Sequence, residues 1–237
     1  MAEDFLSDKA FLELAKALRC WLDFQIHCGR AALLSEAYLT QPLGEFLLAK
    51  YTGRLERELN HPQFKTVSKG RPKQIDFVLR SKDEGYLDFG IECKWSGSHA
   101  PDRQGIVDDV MRLECLRRPQ GEPGASKRYF ILAGRNSAME SFLAGRINKT
   151  GLNPHPKFIE GFLPTAVSSS WRKIDVAACA NHYRPYFKDF VAVYKTESPK
   201  SYKVKMVADE KGEHIRVLIW RIGSSQNRAT FHPKTQW

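Results

Sequence analysis

The chain of 237 residues contains no apolar run approaching the length needed to span a bilayer. Its first residues, Met1-Ala2-Glu3-Asp4-Phe5, are acidic where an export signal is basic and then apolar. Cysteine is sparse. The five present (Cys20, Cys28, Cys93, Cys115 and Cys179) are odd in number and form no Cys-x-x-Cys pair. That fits free thiols in a reducing cytoplasm better than a disulfide framework. The seven histidines are scattered, and only His27 beside Cys28 approaches a cluster, so no zinc site is read from the sequence. No internal repeat or long low-complexity tract is present. Acidic residues are the other shortage: 27 against 37 basic ones, a net charge of +10. With a pI near 9.4, the charge favours a polyanionic partner, nucleic acid first. A cytoplasmic protein without membrane attachment is expected.

What is present centres on Lys73 to Trp95, KQIDFVLRSKDEGYLDFGIECKW. Ile75 to Leu79 is a short apolar strand, Ser81 to Gly85 has turn chemistry, and Tyr86 to Trp95 is a second strand. In the second strand Leu87, Phe89, Ile91, Cys93 and Trp95 recur at every second position and share a face. Glu92 and Lys94 then share the opposite face. Asp76 interrupts an apolar strand, where a carboxylate requires a cation, a donor or water. A hairpin brings Asp76, Glu92 and Lys94 together. Two adjacent carboxylates resist joint ionisation unless a cation lies between them. Mg²⁺ is such a cation, held by one or two carboxylates plus substrate phosphate, and a neighbouring lysine can act on the attacking water or on phosphate charge. Charges on the solvent face of an ordinary hairpin give the same short pattern. Against that stand the apolar surroundings of Asp76 and the basic lead-in Ser68-Lys69-Gly70-Arg71-Pro72-Lys73, whose Lys69, Arg71 and Lys73 are candidate phosphate contacts.

Asp76, fifteen intervening residues and then Glu92-Cys93-Lys94 on a hydrophobic strand resembles the PD-(D/E)XK nuclease superfamily. The resemblance covers about forty of the 237 residues, and Ile75 stands where the family name has proline. It implies a restriction-endonuclease-like fold and a Mg²⁺-dependent nuclease, most naturally an endonuclease on DNA, with Mn²⁺ as a substitute ion. Asp76, Glu92 and the backbone carbonyl of Cys93 would hold the metal, and Lys94 would act on the nucleophilic water. A glutamate from the helix before the first strand often joins such sites. Glu36, on a face with Leu33, Leu43 and Leu47, is preferred to Glu45, which lies half a turn away on a straight helix. Arg112, on the helix after the Glu-x-Lys strand, is a candidate phosphate contact. A homodimer is one way to cut both strands, but no interface stripe identifies itself.

Around this centre an α/β domain is expected, a mixed sheet flanked by helices with an additional C-terminal β-hairpin. It divides into N-terminal helices over 1–60, a catalytic core over 61–150 and an elaboration over 151–237. Helices are expected over 8–28 and over 31–51, the latter kinked or restarted at Pro42, with charged Arg54 to Asn60 finishing it. Phe64 to Val67 is read as the first strand, Ile106 to Arg118 as a helix with Asp108, Arg112 and Arg117 off its apolar stripe, Arg128 to Ala133 as a buried strand and Met139 to Ile147 as a helix. A weakly helical stretch up to His182 precedes strands at Phe190 to Tyr194, Tyr202 to Val207 and Ile215 to Ile222, the last two joined through Asp209 to Glu213. Lys203, Lys205, Arg216 and Arg221 put a basic ribbon, or a solvated sheet face, on that hairpin. Two other functions fit the sequence: a non-catalytic nucleic-acid-binding or complex-forming subunit on the same scaffold, and a basic protein whose partner is another protein.

Overall fold

The structure is a computed structural model describing residues 7–62, 64, 74–82, 87–99, 101–116, 126–144, 161–176, 184–194, 198–199, 201–223 and 228–229. Helix α1 (Asp8–His27) starts where Ser7 caps it, its hydroxyl accepting from Ala10 N–H. Phe11, Leu14, Ala15, Leu18 and Leu22 form its buried stripe. A 3₁₀ turn (Ala31–Leu33) leads to α2 (Glu36–Lys50), capped by Ser35 and continuous through Pro42. The strands are β1 (Arg54–Asn60), β2 (Gln74–Arg80), β3 (Leu87–Ser96), β4 (Lys127–Arg135), β5 (Arg172–Asp175), β6 (Ser198–Pro199), β7 (Ser201–Lys211), β8 (Ile215–Gly223) and β9 (Arg228–Ala229). Helices α3 (Arg103–Cys115), α4 (Asn136–Leu143) and α5 (Arg184–Tyr194) lie between the strands.

One mixed seven-stranded sheet, in the order β1-β2-β3-β4-β8-β7-β5, holds the molecule together, with β6 and β9 paired separately. Among the described strands of this sheet, β3 and β4 alone pair in parallel, joined across α3; the other neighbours are antiparallel. Alternation along β4 builds two cores. Tyr129, Ile131 and Ala133 pack with α1 and α2, while Phe130 and Leu132 pack with α3 and α5. The result is an α/β fold with helices on both faces of a mixed sheet. Among the described residues no helix is long and apolar enough to cross a membrane.

Several expectations are corrected. Arg54–Asn60 is the edge strand β1 and does not extend α2. Of the strand expected at Phe64 to Val67, Phe64 is outside any strand and the rest lies outside the described residues. Phe190 to Tyr194 closes helix α5, because Phe187, Phe190 and Val191 make a buried stripe at helical spacing. Strand β5 lies inside the stretch expected to be helical. The C-terminal hairpin is not an addition to the core: β8 pairs with β4 at the centre of the sheet. Three of its four expected cations are tied to acids, while Lys203 is exposed. Lys205 and Arg221 pair with Asp8, and Arg216 grips Asp209 through two bonds of 2.7 and 2.6 Å. Leu87 leaves the face of Phe89 and Ile91, because a bulge opposite Leu79/Arg80 turns it toward Ile75, Val78 and Leu116.

Candidate functional site

The sheet is irregular on both sides of Asp76. β2 pairs with β3 from Arg80↔Leu87 to Phe77↔Ile91, and the pairing stops one residue before Asp76 would face Glu92. In place of a ladder bond, Asp76 Oδ2 accepts from Cys93 N–H at 2.7 Å. On the other side the β1–β2 register passes over Glu58 and Asp76, and Glu58 has φ 52°. A left-handed conformation at a non-glycine residue costs on the order of 1–3 kcal/mol, and such strain collects at functional sites. The carboxylate of Asp76 thus splays two strands apart and takes over one backbone donor.

Gly90, Glu92 and Lys94 alternate along β3 toward α3. A Cβ at Gly90 would lie 2.1 Å from Leu116 Cδ2, so the absent side chain lets the end of α3 pack directly on the strand. Close packing brings Asp109 and Arg112, one helical turn apart, over Glu92 and Lys94. Glu92 is 1% exposed. Arg112 Nε donates to Glu92 Oε1 at 2.9 Å, and Arg112 Nη2 donates to Asp109 Oδ1 at 2.5 Å. Lys94 Nζ lies 3.1 Å from Asp109 Oδ2 and 3.6 Å from Glu36 Oε2. An alternating chain of charges results: Glu92, Arg112, Asp109, Lys94, Glu36. Buried His61, just past the end of β1, secures its centre, its Nε2 lying 2.9 Å from the Arg112 carbonyl oxygen.

Burial is the largest influence on the protonation of these groups. It raises Glu92 well above the ordinary glutamate value, with Arg112 opposing and Asp109 and Asp76 adding to the rise. It raises Asp109 against the pull of Arg112 and Lys94, and Glu36 against that of Lys94. For Lys94 burial works against the charged form, but Asp109 and Glu36 more than offset it and the ammonium pKa is raised. The Cys93 thiol is pushed well up, by burial and then by Asp76, and stays neutral.

The structure therefore brings together Asp76, Glu92, Lys94 and Glu36 of the expected residues. Glu45 is exposed and accepts from Gln41 Nε2 at 3.1 Å, away from the site. Leu33, expected beside Glu36 on an inward face, is 58% exposed. Arg112 is present, but inside the cluster and bonded to two acids, its side chain 12% exposed. Lys69, Arg71 and Lys73 lie outside the described residues. Asp109 was missed. Its signal was an acid at helical spacing between Ile106 and Leu113, on the face that buries against β3; Asp108, noted instead, accepts from Gln104.

Four carboxylates (Glu36, Asp76, Glu92 and Asp109) face two cations (Lys94 and Arg112), a formal excess of two negative charges. A hard divalent cation with oxygen ligands matches that excess and that donor set. Among the described residues, however, no three of these carboxylates bring ligating oxygens within 4.8 Å of one another. Glu36, Glu92 and Asp109 are held on Lys94 and Arg112, and Asp76 on Cys93 N–H, rather than gathered around one point. No protein-family model matches the chain, and neither the curated proteins nor the solved structures gave a significant match.

Proposed function

We propose that the chain is a metal-dependent nuclease of the PD-(D/E)XK kind, with a restriction-endonuclease-like fold, hydrolysing phosphodiester bonds in nucleic acid, DNA first. The observation that carries this reading is Asp76, where β2 parts from β3, accepting from Cys93 N–H beside buried Glu92, with Lys94 on the same strand as Glu92. Asp76, Glu92 and the Cys93 carbonyl would hold Mg²⁺ or Mn²⁺, with Glu36 at the rim. The ion would supply Lewis acidity at phosphate and a lowered pKa for bound water. Burial pushes Glu92 toward its neutral form; Arg112, positioned by Asp109, opposes that, and a bound cation would oppose it further. Lys94 acts as a fixed cation. Its raised pKa keeps it protonated, which suits stabilising charge on phosphate and orienting water, and not abstracting a proton. The net charge of +10 favours approach of a polyanion.

Incubating supercoiled plasmid, single-stranded DNA and RNA with the purified protein and Mg²⁺ or Mn²⁺, against an EDTA control, tests the proposal. Metal-dependent cleavage is expected; no cleavage of any of these substrates rejects it. One observation favours a second reading, a non-catalytic nucleic-acid-binding subunit on this scaffold: Lys94 and Arg112 already neutralise acids that are not gathered for a metal. That reading predicts salt-sensitive DNA binding, unaffected by Asp76→Ala and without turnover.

A further inference from the structure

We infer a second metal site, for a borderline transition ion of the Zn²⁺ class, formed by His27, Glu213 and His214. His27 ends α1, and Glu213 and His214 occupy the turn between β7 and β8. Nearly the whole chain separates the two histidines in sequence, which is why composition and spacing give no hint of them. In the fold, one ligating atom from each of the three residues lies within 4.8 Å of the others, the sole such trio among the described residues. His27 Nε2 is 3.2 Å from Glu213 Oε2, and His214 Nε2 is 3.5 Å from Glu213 Oε1. A tetrahedral zinc with bonds of about 2.0–2.2 Å keeps its ligating atoms roughly 3.3–3.5 Å apart. Those two separations run to different oxygens of the Glu213 carboxylate, and one ligating atom from each residue lies within 4.8 Å of the others, so side-chain adjustment around an ion closes the trio to that spacing. Two imidazoles and one carboxylate are a donor set that zinc accepts and Mg²⁺ does not favour.

The scaffold is built to hold these side chains. Buried Asp23, one helical turn before His27 on α1, accepts from three successive backbone N–H groups of the turn: Glu213 at 3.3 Å, His214 at 3.0 Å and Ile215 at 3.0 Å. Asn136 Nδ2 donates to the carbonyls of Gly212 and Glu213, and Asn136 N–H donates to that of His214. A Cβ at Gly212 would lie 1.9 Å from Asp23 Oδ2, so the turn sits against α1 with no space to spare. Both ligand-bearing segments are thus fixed to each other without a metal, which lowers the ordering cost of binding. His27 lies in the last turn of α1, where the helix dipole favours positive charge. Glu213 and His214 also line a cleft of about 270 Å³ with Ile26, Arg135, Asn136 and Ser137. Three protein ligands leave the fourth position open toward solvent for water or an anion.

The site shares no residue with the acidic cluster, so each stands or falls alone. The test uses the full chain stripped with EDTA and titrated with Co²⁺, which reports four-coordinate geometry by visible absorption, and then with Zn²⁺ in competition. One equivalent of Co²⁺ should give the tetrahedral band, and Zn²⁺ should abolish it. His27→Ala and His214→Ala should each weaken Co²⁺ binding at least tenfold, while Asp76→Ala should leave it unchanged. Saturating Zn²⁺ should raise the Tm of the wild type and not of the two histidine variants. These residues are on the surface, and circular dichroism verifies that the variants are folded. The proposal is overturned if the wild type gives no tetrahedral band or if the histidine variants titrate as the wild type does. A sulfur-to-cobalt charge-transfer band also overturns it, because that places a cysteine thiolate in the donor set.

Discussion

Replacing Arg112 with methionine removes a cation while keeping an unbranched side chain. It leaves Glu92 and Asp109, 1% and 2% exposed, without the guanidinium that bonds both. Lys94 still reaches Asp109, so Glu92 bears most of the loss. Breaking a buried ion pair by deleting one partner costs about 3–5 kcal/mol. For a chain of this size that lowers Tm by about 6–20 °C, at roughly 2–4 °C per kcal/mol. The loss depends on pH with a definite sign. Both carboxyls titrate above their ordinary values in the folded protein, chiefly through burial, with Arg112 opposing that rise. Without Arg112 they rise further. Between the ordinary carboxylate range and those raised values the folded state binds more protons than the unfolded state. Stability therefore falls as pH rises through that window and returns on acidification. Urea unfolding in EDTA at about pH 8 and about pH 5.5 should show a larger deficit at the higher pH. Adding Glu92→Gln to Arg112→Met should recover most of the deficit, since a neutral amide needs no counter-charge. A variant as stable as the wild type, or an equal loss at both pH values, refutes the reasoning.

Gly90→Ala should destabilise by about 1–3 kcal/mol in urea unfolding, because the fully buried Leu116 side chain must repack to admit the methyl group; unchanged stability contradicts the close approach of Leu116 to the strand. Asp23→Ala leaves three turn N–H groups without their acceptor and should cost about 1–3 kcal/mol by thermal unfolding; an unchanged Tm contradicts the clamp. Glu36→Gln should weaken Mg²⁺ dependence and loosen Lys94, while Glu45→Gln, on the exposed face of the same helix, should change stability by less than about 0.5 kcal/mol and leave cleavage intact.

The parts of the fold legible in the sequence are those whose periodicity reports a local face. β3 alternates apolar residues at period two, and α1 repeats them at helical spacing, so both were read with nearly correct bounds. β1 was misread because its apolar residues, Leu55 and Leu59, are four apart, a helical spacing; in the structure Glu58 breaks the alternation, so Leu55 packs with the α1 and α2 core and Leu59 with Ile75, Val78 and Leu116. Phe190 to Tyr194 has β-forming composition, and only packing of Phe187, Phe190 and Val191 into the core makes it helical. β5 is a four-residue edge strand with Ile174 alone buried, too short to leave a pattern. In the site, Asp76, Glu92 and Lys94 stood out because charged residues interrupt or alternate with an apolar strand. Asp109 did not, because an acid on a helix is ordinarily solvated, and only the approach of α3 over Gly90 buries this one.

The central claim is that Asp76, Glu92 and Lys94 form a hydrolytic site in which Lys94 serves as a cation. Single-turnover cleavage at saturating Mg²⁺, with DNA binding measured in parallel, tests it for the wild type, Asp76→Ala, Lys94→Ala and Lys94→Arg. Asp76→Ala should bind DNA and lose metal-dependent cleavage. Lys94→Ala should bind DNA and Mg²⁺ yet cut slower by on the order of 10²-fold or more, the scale of one electrostatic group. Lys94→Arg should recover part of that rate, since it keeps the charge but presents a planar fork in place of a compact ammonium. Cleavage at the wild-type rate by Lys94→Ala or Asp76→Ala would contradict the account.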